Sequence, residues 1–93
     1  MEENLSPLAP LESATASEVV AWCAELLVHK ARLHLGFSPE EGPPDPDQAR
    51  LAMDAATALV ELLQGKLPGE ALGELLMHIA DLRLRYLRLQ QPR

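Results

Sequence analysis

Residues 72–89 read LGELLMHIADLRLRYLRL, and the spacing of their apolar side chains decides the fold class. Apolar residues recur there at alternating intervals of three and four, which is the spacing of one helix face. These residues are Leu72, Leu75, Ile79, Leu82, Tyr86 and Leu89. Leucine and arginine alternate over residues 82–89 as on a strand, but Leu87 breaks the alternation and no turn signal follows Gly73. The stretch therefore predicts the last helix of an all-α protein.

Two further helices are predicted from the residues that open and close them. Thr15 and Glu18 have the spacing of a capping box, and Gly36 is a natural left-handed terminator. Asp45 can cap the next helix, and Pro46 suits its first position because that position needs no N–H donor. Together these signals predict three helices, over about residues 16–35, 46–64 and 68–90.

The remaining segments are expected to connect or to precede the helices. Residues 1–14 contain two prolines among acids and isolated leucines, which is typical of a flexible tail. Residues 37–47, FSPEEGPPDPD, hold four prolines, one glycine and four acids, which predicts an extended, rigid connector. Residues 15–93 are then a single helical domain.

The charge of the chain limits its partners. The formal net charge is −6, from 14 acidic and 8 basic residues, which argues against general nucleic-acid binding and against an anionic membrane surface. The bases are concentrated near the end, where residues 81–93 hold four arginines and one aspartate. A single cysteine, a beginning without signal-peptide character and the lack of a long apolar run indicate a cytoplasmic protein.

Each predicted helix carries more apolar surface than a three-helix monomer can bury. The second helix, for example, has a seam formed by Ala49, Ala52, Ala56, Leu59 and Leu63. A helix on one side of a bundle needs about three apolar positions in seven, and here each helix has about five. Either the alanines are simply helix formers on an exposed face, or the excess is covered by another chain. We expect a homo-oligomer that completes a larger helical bundle, most simply a dimer.

The sequence predicts no catalytic residue, no metal site and no cofactor. Glu74 and His78 are one turn apart, as metal ligands on a helix can be, but no second histidine follows at the next turn. We expect them to be an ordinary exposed pair. Cys23 lies among valines and leucines and is expected to be a buried, inert thiol.

Five residues are candidates for interaction: Trp22, His34, Asp54, Arg83 and Tyr86. Trp22 borders a polar strip, as either an interface anchor or a shield of the core. His34 falls towards the apolar side of its helix, where a hydrogen-bonded core histidine is expected. Arg83 lies inside the apolar arc of the last helix, so it either extends its charge to water or pairs with a carboxylate. The carboxylates open to it are Asp54, Glu61 and Glu25.

The arginines of the last helix differ in their expected contribution. Arg85 follows Asp81 by four residues, a well-oriented ion pair that contributes only about 0.2–0.5 kcal/mol. If Arg83 belongs to a buried pair, removing its partner alone costs about 3–5 kcal/mol. Arg83→Ala is therefore expected to weaken stability or assembly more than Arg85→Ala.

Three segments resemble the short bacterial family known as domain of unknown function 1844. They are LVHKARLHLGFSP, DPDQARLAMDAATALVELLQGKL and ELLMHIADLRLRY, and the similarity covers roughly residues 20–87. The shared features include His34-Leu35-Gly36, the pair Met53-Asp54, and the ending Leu82-Arg83-x-Arg85-Tyr86. The turn at Leu63-Gln64-Gly65 departs from the lysine-threonine-x-glycine pattern of the family. The resemblance implies a small helical cytoplasmic protein and no assigned activity.

The sequence thus favours a non-enzymatic protein–protein interaction or assembly module, acting on a second copy or on an unidentified protein. One alternative is an RNA-associated accessory protein that uses the end of the last helix around Arg85 and Arg88, although nucleic acid is disfavoured by the net charge. A second alternative is a helical bundle that binds a metal ion or a small ligand.

Overall fold

The structure, a computed structural model, describes residues 9–36 and 43–90 of the chain. It contains four helices within those residues: α1 (Ala9–Ser13), α2 (Ala16–His34), α3 (Pro46–Leu62) and α4 (Gly69–Gln90). The described residues include no strand, so the all-α prediction is confirmed. Most of the predicted connector, residues 37–42, and the first part of the predicted tail, residues 1–8, lie outside the described residues.

The helix α1 lies within residues 1–14, where the sequence predicts a flexible tail. Five residues of that segment, Ala9–Ser13, are helical. Pro10 indicates irregular structure in the sequence, but it is the second residue of the helix. A proline in the first turn removes no intrahelical hydrogen bond, because the N–H groups there have no partner within the helix.

The predicted caps are confirmed by their hydrogen bonds. The Glu18 backbone N–H donates to Thr15 Oγ1 at 3.1 Å, and the Thr15 N–H donates to Glu18 Oε1 at 2.9 Å, which completes a capping box. The Gln48 N–H donates to Asp45 Oδ1 at 3.3 Å, with Pro46 in the first helical position. Gly36 has φ +87°, the left-handed conformation expected of a terminator. The observed helix ends lie within two residues of the predicted ones.

The core lies between three helices that run up, down and up. α3 packs most extensively against α2, and α4 lies against both with fewer contacts. The close α2–α3 packing follows from the small residues at that interface, since alanines let two helix backbones approach. The buried residues are Ala24, Val28, Ala31 and Leu35; Ala49, Ala52, Met53, Ala56, Val60 and Leu63; and Leu72, Leu75, Ile79 and Leu82.

The predicted seam of α4 is confirmed in its first four members and fails at its end. Leu72, Leu75, Ile79 and Leu82 are buried, whereas Tyr86 is half-buried and Leu89 is exposed. Leu89 lies beside Leu35 and Gly36, where α2 has ended and no longer covers α4.

None of the helices in the described part of the chain has both the length and the hydrophobicity of a membrane span.

Candidate interaction surface

Arg83 joins α4 to α3 through a carboxylate and a hydroxyl. One Arg83 guanidinium nitrogen, Nη2, donates to Asp54 Oδ1 at 3.1 Å and to Thr57 Oγ1 at 3.0 Å. Thr57 Oγ1 in turn donates to the backbone carbonyl oxygen of Met53 at 2.9 Å. Arg50 Nε lies 3.8 Å from Asp54 Oδ2, so that carboxylate sits between two guanidinium groups.

This arrangement answers the question that the sequence left open. Asp54, one of the three candidate carboxylates, is the partner of Arg83. The pair is not buried, since the Arg83 side chain is 41% exposed and that of Asp54 is 55% exposed. The large penalty of a broken buried ion pair therefore does not apply, and the contribution is that of a partly solvated pair with an additional hydrogen bond.

The expected ion pair on the outer side of α4 is also present. Arg85 Nε lies 3.5 Å from Asp81 Oδ2, and both side chains are largely in contact with solvent. The geometry is long for a hydrogen bond, which agrees with the small contribution expected of such a pair.

The other interaction candidates lie on different sides of the molecule. Trp22 is exposed on the outer face of α2, and Tyr86 is half-buried against the core. His34, the last residue of α2, is half-buried rather than part of the core. Its backbone carbonyl accepts a hydrogen bond from the Asp45 N–H at 2.7 Å, which ties the end of α2 to the start of α3.

Cys23 is exposed, and the prediction of a buried thiol is wrong. The buried stripe of α2 is narrow and consists of Ala24, Val28 and Ala31. Cys23 precedes that stripe by one residue and is turned about 100° from Ala24 around the helix axis. The apolar neighbours that suggested burial include Leu26, which is itself exposed.

Large apolar side chains are exposed on all three long helices. On α4 they follow a second heptad spacing, formed by Met77, Ala80, Leu84 and Leu87, which we call the outer seam. Met77 is 71% exposed, Leu84 is 54% exposed and Leu87 is 55% exposed. The exposed large residues of the other two long helices are Trp22 and Leu26 on α2, and Leu51 and Leu62 on α3.

A cleft of about 280 Å³ lies between α2 and α4. Its α2 wall carries Glu25, His29 and Arg32, and its α4 wall carries Glu74 and His78. Glu74 and His78 are exposed, as the sequence predicted. The facing pair was not anticipated, although a glutamate followed by a histidine four residues later occurs on both helices.

The cleft does not bring these side chains together as a metal site. Within residues 9–36 and 43–90, no group of three or more histidine, cysteine, aspartate or glutamate side chains is placed to hold a metal ion. Each wall of the open cleft carries one glutamate and one histidine. These side chains can contact a small polar ligand from two sides.

A scan against models of protein families, a search of curated proteins and a search of solved structures each found no match to this chain. Its function is therefore inferred from its own surfaces.

Proposed function

We propose that this chain is a non-enzymatic protein–protein interaction and assembly module that works as a homo-oligomer, most simply a dimer. The observation that supports the proposal is the outer seam of α4, whose Met77, Leu84 and Leu87 are each more than half exposed. Monomeric proteins rarely leave contiguous apolar patches uncovered, and larger ones mark interaction sites. Two-fold closure is the commonest way to cover such a patch with a second copy.

The packing within the chain explains why a surface of this kind is left over. α4 makes fewer contacts with α2 and α3 than those two helices make with each other. It uses one heptad seam for the core and presents a second seam to solvent, so none of the helices in the described part of the chain covers that side of α4. A second copy that supplies a helix to this side completes the larger bundle.

A panel of three matched substitutions tests the proposal. Leu26→Glu, Leu62→Glu and Leu84→Glu each place a charge on an exposed leucine of α2, α3 and α4 respectively. Because these side chains are already exposed, the effect on monomer stability should be small, within about 0.5 kcal/mol. Light scattering across a range of concentrations should show a dimer for the unmodified chain and a monomer for the variant whose face forms the interface.

The outcomes separate the parts of the proposal. If the unmodified chain is monomeric at high micromolar concentration and all three variants behave like it, the homo-oligomer is wrong. If the chain is monomeric but binds a different protein, and only one variant loses that binding, the interaction module stands and the partner is not a second copy. Circular dichroism of each variant checks that the helices are intact.

The cleft between α2 and α4 supports binding of a small polar ligand as a second candidate function, and a metal ion is its weaker form because no group of three possible ligands lies together within residues 9–36 and 43–90. Glu25 and His29 face Glu74 and His78 across about 280 Å³ of space. Elemental analysis of the purified protein, and calorimetric titration with Zn²⁺, test the metal directly. Glu25→Gln and His29→Asn, on the α2 wall of the cleft, should abolish any binding that depends on this cleft without changing the oligomeric state.

Two further points belong to the proposal. The ordered motifs that end in Arg83-x-Arg85-Tyr86 are the reason to place the chain beside the domain of unknown function 1844 family, and the single cysteine favours the cytoplasm. RNA association is the weaker alternative, because Arg85 lies 3.5 Å from Asp81 and the net charge is −6. Binding to RNA that falls steeply with salt would support that alternative.

A further inference from the structure

We infer that the outer seam of α4 pairs with the same seam of a second copy, and that the two helices run antiparallel. The inference rests on the proposed homo-oligomer and adds to it a named surface, an orientation and a register. Three properties of α4 lead to it: the distribution of charge along the helix, the sizes of the seam residues, and the ion pairs beside the seam.

The acidic residues of α4 all precede its arginines along the helix. Its acids are Glu70, Glu74 and Asp81, and its arginines, Arg83, Arg85 and Arg88, all follow them. Two parallel copies would place like charges side by side, whereas two antiparallel copies place the acidic half of each against the basic half of the other. Charge pairs that flank an apolar seam are the features that set orientation in helix pairs.

Glu74 and Arg88 are the pair that most directly reports the orientation. Arg88 follows the seam residue Leu87 by one position. Glu74 lies two heptads before Arg88, so both residues occupy the same heptad position on one flank of the outer seam. They are fourteen residues apart, which is about 21 Å along the helix, so they cannot meet within one chain. An antiparallel second copy brings Glu74 of each chain to Arg88 of the other, and this contact forms twice.

The same register places the one small residue of the outer seam opposite a large one. When Ala80 faces Leu84 of the second copy, Met77 faces Leu87 of the second copy, and the two-fold axis passes near residue 82. A leucine against an alanine fills space without a void or a clash, since packed helices alternate large and small residues across facing positions. Parallel pairing would instead set Ala80 against itself and each leucine against itself.

Two like-charge contacts arise at the two-fold axis. In each of them, the repulsion is reduced by an oppositely charged residue of the same chain. Asp81 lies near Asp81 of the second copy, but Arg85 Nε is 3.5 Å from its carboxylate. On the other flank, Arg83 lies near Arg83 of the second copy, but each is held by its own Asp54 at 3.1 Å. Asp54 thus joins α3 to α4, and it also compensates the charge of Arg83 where two copies of that residue would meet.

The exposed faces of the other helices are less suited to a second copy of themselves. The outer face of α3, with Leu51 and Leu62, is flanked by Asp47, Asp54 and Glu61 and would meet an equally acidic face. The outer face of α2 includes Trp22 and Leu26, but His29 occupies the next position of its heptad spacing. The continuous apolar spacing and the divided charge occur together on α4.

Mixed cysteine cross-linking tests the orientation. Met77→Cys and Leu87→Cys are made as separate variants in a Cys23→Ser background, because Cys23 is exposed and would react as well. In the antiparallel register, residue 77 faces residue 87 of the second copy, whereas two copies of residue 77 are about 15 Å apart along the axis. A disulfide needs Cα atoms within about 7 Å.

The expected result is a disulfide-linked dimer when the two variants are mixed and oxidised with glutathione disulfide, and little cross-linking in either variant alone. Cross-linking of each variant with itself, and not of the mixture, would show a parallel pair and overturn the inference. A dimer by light scattering that gives no cross-link in any combination would place the interface elsewhere. A monomer by light scattering would instead remove the proposed homo-oligomer.

Charge reversal gives an independent test of the register. Glu74→Arg and Arg88→Glu should each raise the dimer dissociation constant by about 5- to 30-fold, because each turns two attractive contacts into two repulsive ones. The double variant should recover most of the affinity, since the two charges are exchanged. Glu25→Arg, on the cleft side of α2, is the matched control and should leave the dissociation constant unchanged. Failure of the double variant to recover would contradict the register.

Discussion

The Arg83 contacts make a quantitative prediction about the link between α3 and α4. Arg83→Ala removes an ion pair to Asp54 at 3.1 Å and a hydrogen bond to Thr57 Oγ1 at 3.0 Å. Arg85→Ala is the matched control on the same helix, since it removes an ion pair of 3.5 Å to Asp81 between two exposed side chains. Both variants lose an arginine from α4, so helix propensity and net charge change equally.

The magnitude follows from the exposure of each contact. A partly exposed ion pair contributes about 0.2–1 kcal/mol, and the partly buried hydrogen bond to Thr57 contributes about 1 kcal/mol. Arg83→Ala should therefore lower the free energy of unfolding by about 1–2 kcal/mol, against about 0.2–0.5 kcal/mol for Arg85→Ala. The first value is well below the cost of breaking a buried pair, because Arg83 and Asp54 both contact water.

Urea denaturation followed by circular dichroism measures both values. All variants are compared at one protein concentration, because the stability of an oligomer depends on concentration. A double-mutant cycle with Asp54→Ala should give a coupling energy of about 0.5–1 kcal/mol between Arg83 and Asp54. Equal and small effects of Arg83→Ala and Arg85→Ala, with no coupling to Asp54, would refute the structural role assigned to Arg83.

Three further predictions concern the ends and outer face of α2. Thr15→Ala should lower the free energy of unfolding by about 1 kcal/mol, because it removes the capping box. An unchanged melting temperature in thermal denaturation would contradict that cap. Gly36→Ala should destabilise more than Gly65→Ala, since both have positive φ but only the new Cβ at 36 would meet Pro44 Cγ, at 3.1 Å; equal losses would contradict this. Cys23 should react with a thiol reagent in the native protein as fast as in the denatured chain, and protection would place α2 in the proposed interface.

The parts of the fold that depend on neighbouring residues were predictable from the sequence. Thr15 with Glu18, Asp45 with Pro46, and Gly36 each act within one helical turn, so their geometry follows from residue type and spacing. The same holds for the first four residues of the buried seam of α4, from Leu72 to Leu82, because one face with heptad spacing had to meet the core.

What the sequence did not predict depends on how the helices are placed against one another. α4 has a second seam of the same spacing, the outer seam, and periodicity alone does not show which apolar residues outside the longest seam stay exposed. Cys23 was misplaced for that reason, since the buried stripe of α2 is set by close contact with α3 through small residues. The choice of Asp54 for Arg83 needed the register between α3 and α4, which no local pattern contains.

The candidate cleft shows the same limit in the functional site. Glu25 with His29, and Glu74 with His78, are visible as spaced pairs in the sequence. That they stand on opposite walls of one cleft is a consequence of α2 and α4 running in the same direction on either side of it. Spacing identified the residue types, and only the packing of the helices brought them to one place.

The mass of the unmodified chain in solution tests the central claim most directly. Sedimentation equilibrium over a range of concentrations up to the high micromolar should give a mass that rises from 10.2 kDa towards twice that value. Leu84→Glu, measured beside it, should stay at the monomer mass while keeping its helical content. A folded chain that remains at 10.2 kDa at every concentration would contradict the assembly of this protein through its exposed apolar surface.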